Sequence, residues 1–246
     1  RKNDPSIHPL PAGKVGQLKG VITVDLYGLP ADYDAVAALA REHGLWIVED
    51  AAQSFGATSH DRRACSLGDI GCTSFFPSKP LGGYGDGGMC FTDDDELAAI
   101  LRSCLSHGCG EARYEHVRLG MNGRLDSLQA AVLLAKFDIF EKEMELRQKV
   151  AKRYSEAFSG RNGLTVPAVP QGLTSAWAQY TLLAQSGEHR QRILKTLADS
   201  QIPSAIHYPK PIHRQPVFAP LGYRDGDLPV SEAASQQVFS LPMHPY

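Results

Sequence analysis

Leu45-Trp46-Ile47-Val48-Glu49-Asp50-Ala51-Ala52-Gln53-Ser54 joins a short, unbroken apolar run to a polar segment headed by two carboxylates. A run of that length and continuity predicts a strand buried in a parallel sheet. Upstream, Val21-Ile22-Thr23-Val24-Asp25-Leu26-Tyr27 is rich in β-branched side chains and predicts another strand, closed by a Gly28-Leu29-Pro30 turn. Between the two, Val36, Leu39 and Ala40 recur at helical spacing from Asp32 to His43, and Gly44 supplies a stop. Strand, helix and strand in this order predict a right-handed parallel crossover and the α/β class. Ligands of open α/β sheets bind beyond the carboxyl ends of the strands, which is where Asp50 and Gln53 fall.

Working downstream, the next strand is expected from Cys72 to Phe76, running into Thr73-Ser74-Phe75-Phe76-Pro77-Ser78-Lys79-Pro80-Leu81-Gly82-Gly83-Tyr84-Gly85-Asp86-Gly87-Gly88. A lone lysine is ordinarily a solvated surface charge. Lys79, however, lies between an apolar run that favours the neutral, nucleophilic amine and a chain of glycines that lets a flat cofactor approach the backbone. A carboxylate and a lysine at the mouths of two strands fit pyridoxal phosphate (PLP). The carboxylate keeps the pyridine nitrogen protonated so that the ring accepts electrons, and the lysine holds the aldehyde as an imine. The glycine run does not match G-x-x-x-x-G-K-[ST], because its lysine precedes the glycines; it reads as a tight backbone passage rather than a nucleotide cradle.

Three strings together carry a family resemblance: Glu49-Asp50-Ala51-Ala52-Gln53-Ser54, Ser74-Phe75-Phe76-Pro77-Ser78-Lys79, and Gly120-Met121-Asn122-Gly123-Arg124-Leu125-Asp126-Ser127-Leu128-Gln129-Ala130-Ala131. From about Val21 to its end the chain resembles the DegT/StrS-type nucleotide-sugar aminotransferases, PLP enzymes of fold type I related to aspartate aminotransferase. The resemblance implies a large domain with a mostly parallel sheet, continued here over residues 1–137, and a connecting helix with a smaller α+β domain over 138–246. Measured against that family the chain is expected to lack a large part of the cofactor domain at its amino end and a little at its carboxyl end.

The resemblance also assigns roles. Lys79 is the Schiff-base lysine and the proton carrier, and Asp50 partners the pyridinium nitrogen; a cap after the strand is Asp50's structural alternative. Gln53 contacts the cofactor ring or its 3-oxygen, or caps a turn. Ser74 is a phosphate ligand, or a structural hydroxyl in a strand. Asn122 reaches the cofactor phosphate of a neighbouring subunit, which implies a homodimer with shared sites; without the resemblance it is a turn residue beside Gly123. Arg124 pairs with a carboxylate of glutamate or of a uronic sugar, or forms a structural ion pair. His207-Tyr208-Pro209 matches a motif near the sugar, and His207 reads equally as a plain buried histidine. The implied reaction moves an amino group from glutamate, leaving 2-oxoglutarate, to a keto group of a nucleotide-linked sugar for surface-polysaccharide synthesis. The string from Phe75 to Gly82 looks most like the branch acting on UDP-2-acetamido-2-deoxy-3-oxo-glucuronate. The alternatives are a non-catalytic scaffold or regulatory protein on the same fold, and a related sugar dehydratase, whose histidine at the lysine position Lys79 argues against.

Composition excludes other classes. With 43% hydrophobic residues in 246, a substantial core is available, and a formal net charge of −2 leaves no basic footprint for nucleic acid. No apolar stretch approaches the roughly 20 residues that cross a bilayer, and no signal peptide opens the chain, so a soluble cytoplasmic protein is expected. Cys65, Cys72, Cys90, Cys104 and Cys109 form no C-x-x-C pair and read as reduced core thiols; the nine histidines are scattered, and no metal site is expected. Further along, the sequence predicts a strand from Gly87 to Thr92, a helix from Asp93 to about Ser106 whose aspartates favour its start, and a long helix from about Asp126 to Phe158. The charged half of that helix, Glu141 to Arg153, reads as solvated. A loop over Gly160–Gly172, a strand Gln179–Ala184, a helix His189–Ser200 and a strand Ala205–Tyr208 complete the expected small domain.

Overall fold

The computed structural model describes residues 17–112 and 114–246. In chain order the elements are β1 (Gly20–Val24), α1 (Tyr33–His43), β2 (Trp46–Asp50), β3 (Thr58–Ser59), β4 (Arg62–Arg63), β5 (Ile70–Ser74), β6 (Gly88–Phe91), α2 (Asp95–Leu105) and α3 (Ser127–Phe158). They continue with β7 (Leu164–Thr165), β8 (Leu173–Thr174), β9 (Tyr180–Ala184), α4 (Gly187–Asp199), α5 (Pro229–Gln237) and β10 (Val238–Leu241). The chain divides into two compact units, one of Lys19–Ala151, Val169–Ala178 and His244–Tyr246, the other including Lys152–Ala168 and Gln179–Met243. No helix among the described residues is long and apolar enough to cross a membrane.

The first unit is built on a four-stranded sheet in the order β1-β2-β5-β6. β1, β2 and β5 run parallel, in the register Val24↔Asp50 and Asp50↔Cys72, and β6 adds an antiparallel edge in the register Cys72↔Cys90. The mostly parallel α/β sheet read from the sequence is therefore present. Two strand limits differ. β1 stops at Val24 rather than Tyr27, because Leu26–Gly28 turns tightly with Tyr27 at φ 63° and Gly28 at φ 102°. β5 starts earlier and ends at Ser74, ahead of the turn into Pro77.

Local chemistry explains the helices. Asp32 caps α1 by accepting from the Ala35 amide at 3.1 Å, and Gly44 closes it in the left-handed conformation. Asp94 caps α2 in the same way through Leu97 at 2.9 Å, so these aspartates serve the helix start as expected. α1 lays Tyr33 and Ala40 against Ile47 and Leu67. α3 sends Leu133 and Phe140 into a second cluster with Phe75 and Leu81, flanked by Phe55, Leu125 and Met144. Its charged half is not wholly solvated: Arg147 and Ala151 are buried, and the Arg147 guanidinium donates to the Trp177 carbonyl at 3.1 Å. The long arginine stem explains the tolerance, since it packs while its head finds a backbone acceptor. The thiols also depart from expectation. Cys65 is buried, but Cys72, Cys104 and Cys109 are half-buried and Cys90 is exposed.

In the second unit β10, β9 and β7 form an antiparallel sheet whose centre buries Tyr180, Leu182 and Phe239 completely or nearly so. The sequence reading placed β7 inside a loop and missed α5 and β10. Val238-Phe239-Ser240-Leu241 is buried at every position, so it offers no alternation to read. Ala205–Tyr208 is not a strand: Ala205 alone bridges Ser240, exchanging N–H···O bonds of 3.2 and 2.7 Å, and prolines at 203 and 209 bracket the segment.

Glu49 shows what holds the site-bearing loops. Its side chain has no exposed surface, and its two carboxylate oxygens accept from the amides of Cys65 at 2.6 Å and Leu67 at 2.8 Å, pinning the loop between β4 and β5 beneath the sheet. Burial raises its pKa, while those amides pull the other way. Glu49→Ala strands two buried backbone donors, so a loss of about 3 kcal/mol is expected, read as a lower denaturant midpoint.

Candidate active site

β-Strand alternation decides what each carboxylate of the Glu49-Asp50 pair can do. Glu49 points to the packed side of the sheet, so Asp50 points to the other, at the carboxyl end of β2. Asp50 is half-buried, and one oxygen accepts from the Ala52 amide at 3.1 Å, turning the chain away from the strand. Lys79 stands in the loop after β5, its own amide donating to the Phe76 carbonyl at 2.9 Å. Its amine is half-buried. Burial lowers its pKa, and the negative charge of Asp50 opposes that shift, which places the two groups within electrostatic range of each other.

The glycine run folds back on the lysine turn. Gly83 donates to the Phe75 carbonyl at 2.8 Å, and a Cβ at Gly82 would lie 2.5 Å from the Pro77 carbonyl oxygen. Helix α3 holds the run from outside, through Lys136 Nζ donating to Gly82 O at 2.6 Å and Gln129 Oε1 accepting from the Tyr84 amide at 2.7 Å. The tight passage expected from the glycines is thus a backbone clamp around Lys79.

Gln53 is buried on a turn, and its Oε1 accepts from the Tyr27 amide at 2.6 Å. Ser74 ends β5 half-buried, its Oγ accepting from Phe76 N at 3.2 Å. Asp50, Gln53, Ser74 and Lys79 therefore all sit at one end of the sheet. Asn122 and Arg124 lie elsewhere, on an exposed loop where Asn122 bridges Ser106 and an Arg124 Nη atom is 3.4 Å from His107 Nε2. That loop borders an open depression of about 830 Å³ lined by His107, Cys109, Tyr114, His116, Gly120 and Arg124. His207 and Tyr208 belong to the second unit. There His207 Nδ1 is 3.0 Å from Ser240 Oγ, which is itself 2.9 Å from Thr181 Oγ1, and burial lowers the imidazole pKa. Tyr208 is exposed. Among the described residues no group of three or more His, Cys, Asp or Glu is arranged to hold a metal ion.

The structure adds residues that spacing did not reveal. Asp25, fully buried, accepts from the Ala31 amide (3.0 Å), the Tyr33 hydroxyl (2.9 Å) and the Ser54 hydroxyl (2.6 Å). Burial raises its pKa and the neighbouring charge of Asp50 adds to the rise. Behind Gln53, Gly28 accepts from the Ala176 amide at 2.8 Å, while Gln148 of α3 donates to Ser175 O at 2.6 Å and accepts from Trp177 Nε1 at 2.8 Å. A path of hydrogen bonds and packed backbone thus runs from α3 to the turn that holds Gln53. The available signal was Asp25, a carboxylate just past the end of β1, near where Asp50 ends β2; the glutamine and tryptophan partners lie far off in sequence.

The Lys79–Asp50 relation is testable without any ligand. Lys79 is expected to titrate below the ordinary lysine range in the unliganded protein, and Asp50→Asn to move it lower still, because removing the opposite charge disfavours the ammonium. Site-resolved reductive methylation across pH reads both shifts.

With this geometry in place, the relatives are informative. The DegT/DnrJ/EryC1/StrS aminotransferase family model matches residues 14–246. Over 243 residues the chain is 47% identical to the UDP-2-acetamido-2-deoxy-3-oxo-D-glucuronate aminotransferase of Pseudomonas aeruginosa, covering 99% of this chain and 65% of that protein. A DegT DnrJ EryC1 StrS aminotransferase from Brucella abortus superposes with a TM-score of 0.87 at 49% identity, over 93% of this chain and 60% of the other. DesV from S. venezuelae, solved in complex with a ketimine intermediate, superposes at 0.88 with 37% identity and the same coverage. The chain spans 60 to 65% of the length of these three relatives. The architecture is that of PLP fold type I, and the family is PLP-dependent. From the matched residues and the shared fold alike, the chain belongs to the DegT/DnrJ/EryC1/StrS aminotransferase family.

Proposed function

We propose that this protein is a PLP-dependent aminotransferase that carries an amino group from glutamate to the keto group of a nucleotide-linked sugar. The observation that carries this reading is the half-buried Lys79 amine, its pKa drawn down by burial and balanced by Asp50 across the strand ends. The residues fit the cofactor: a desolvated amine, a carboxylate on the same sheet end, and glycines packed too closely for side chains. When bound, PLP supplies the electron sink for the transfer. Lys79 would anchor it and then hold and move the proton at the substrate carbon. Asp50 would keep the ring nitrogen protonated, Gln53 would orient the ring, and Ser74 would donate to the phosphate.

Asn122, on its exposed loop, would serve the phosphate of a second copy, making the working form a homodimer with shared sites. Arg124 would bind a carboxylate in bidentate fashion, and His207 and Tyr208 would contact the sugar. The identity to the Pseudomonas aeruginosa enzyme supports a UDP-3-oxo-N-acetylglucosaminuronic acid as the sugar, in cytoplasmic synthesis of surface polysaccharide.

Two measurements test the reading. In the full-length protein, borohydride reduction in the presence of PLP is expected to leave one cofactor covalently on Lys79, and Lys79→Ala to retain none and to lose at least about a hundredfold in transfer rate. No covalent cofactor on the wild-type protein removes the enzyme and leaves the scaffold. With glutamate as donor, a panel of 3-oxo and 4-oxo nucleotide sugars should favour the uronic acid, and Arg124→Leu should erase that preference. Equal turnover of neutral and uronic sugars by the wild type rules out a sugar-carboxylate role for Arg124.

A further inference from the structure

One row of the sheet, Val24–Asp50–Cys72–Cys90, crosses all four strands with its side chains on a single face. The last two members are thiols 3.8 Å apart, sulfur to sulfur. Their strands fix how closely the backbones approach. The Phe75 amide donates to Gly87 O at 2.8 Å, so Phe75 and Gly87 form a hydrogen-bonded pair of the antiparallel ladder. Pairs alternate along such a ladder, which makes Ser74·Gly88 non-bonded, Thr73·Met89 bonded and Cys72·Cys90 non-bonded. Non-bonded pairs hold their Cα atoms about 4.5 Å apart, at the short end of the roughly 4.4–6.8 Å that a disulfide spans. Side-chain rotation alone would then bring the sulfurs to the bonding distance of about 2.05 Å.

We propose that Cys72 and Cys90 form a modification site that a low-molecular-weight disulfide closes to a reversible cross-strand bond on the edge of the β5–β6 ladder. The steps balance. The exposed Cys90 sulfur attacks one sulfur of the reagent R–S–S–R, its S–S bond breaks, and the first R–SH leaves, carrying the Cys90 proton. Cys72 then attacks the Cys90 sulfur of the mixed disulfide and expels the second R–SH, which takes the Cys72 proton. The two protein thiols are oxidised and the reagent is reduced to two thiols. Among the described residues Cys90 is the exposed thiol of the pair and Cys72 the half-buried one, which assigns the order. Burial, with Cys90 next, pushes the Cys72 thiol up to about 12, which makes it the slower, resolving partner.

The location gives the bond its interest. Cys72 is the register partner of Asp50 on the neighbouring strand and lies two residues before Ser74 on the same face, so the bridge would border the proposed cofactor site. That last point rests on the proposed function; the bond does not.

The test is thiol mapping after equilibration of the folded full-length protein with glutathione disulfide, followed by alkylation and digestion. A Cys72–Cys90 link leaves three of the five cysteines able to take up glutathione, so the linked peptide itself is the readout. The expected result is a single peptide pair joining Cys72 to Cys90, reversed by dithiothreitol and absent from Cys90→Ala, with Cys72→Ala stalling as a glutathione adduct on Cys90. A stable adduct on Cys90 of the wild type, alkylation of both thiols, or a bond from either to another cysteine overturns the proposal. If the bridge forms but borohydride leaves no cofactor on Lys79, the functional reading falls and the thiol site stands.

Discussion

The two-residue period of a β-strand is the constraint on which this structure turns. It takes two adjacent carboxylates at the end of β2 and sends them to opposite faces. Glu49 goes inward, where its oxygens are consumed by the Cys65 and Leu67 amides and its task is to hold a loop. Asp50 goes to the other face, half-buried beside the strand ends, where its charge acts on Lys79. A slip of one residue in register would exchange the two and leave both jobs undone.

Around that pair the fold separates support from chemistry. The Lys79 turn lies against a glycine passage in which a Cβ at Gly82 would meet the Pro77 and Phe76 carbonyls, and α3 grips the outside through Lys136 and Gln129. Gln53 is supported at second hand, from Gln148 through the Ser175–Trp177 segment to the turn at Gly28. These supports fix the loops that carry a half-buried amine and a half-buried carboxylate at one end of the sheet.

Much of this was legible from neighbouring residues. The apolar run into Asp50, the aspartates at the start of α2 and the stop at Gly44 all act within a few positions of themselves, and each stands as read. What escaped involved partners distant in the chain. β10 is buried on every side by residues the eye cannot pair with it, and Ala205–Tyr208 looks like a strand but lacks the neighbours and donors to become one. Arg147 looked solvated because its acceptor, Trp177 O, is thirty positions away.

By itself the sequence determined the parallel strands β1, β2 and β5 with helices α1 to α3, the lysine among its glycines and the family to which those strings belong, because each depends on local periodicity or on residue identity. Tertiary structure alone decided that Glu49 is spent on the Cys65 and Leu67 amides, that Asp25 shares its end of the sheet, and that two thiols eighteen residues apart sit 3.8 Å from each other. Register across strands settles such questions. It arises from hydrogen bonds between segments remote in sequence, and no single stretch contains it.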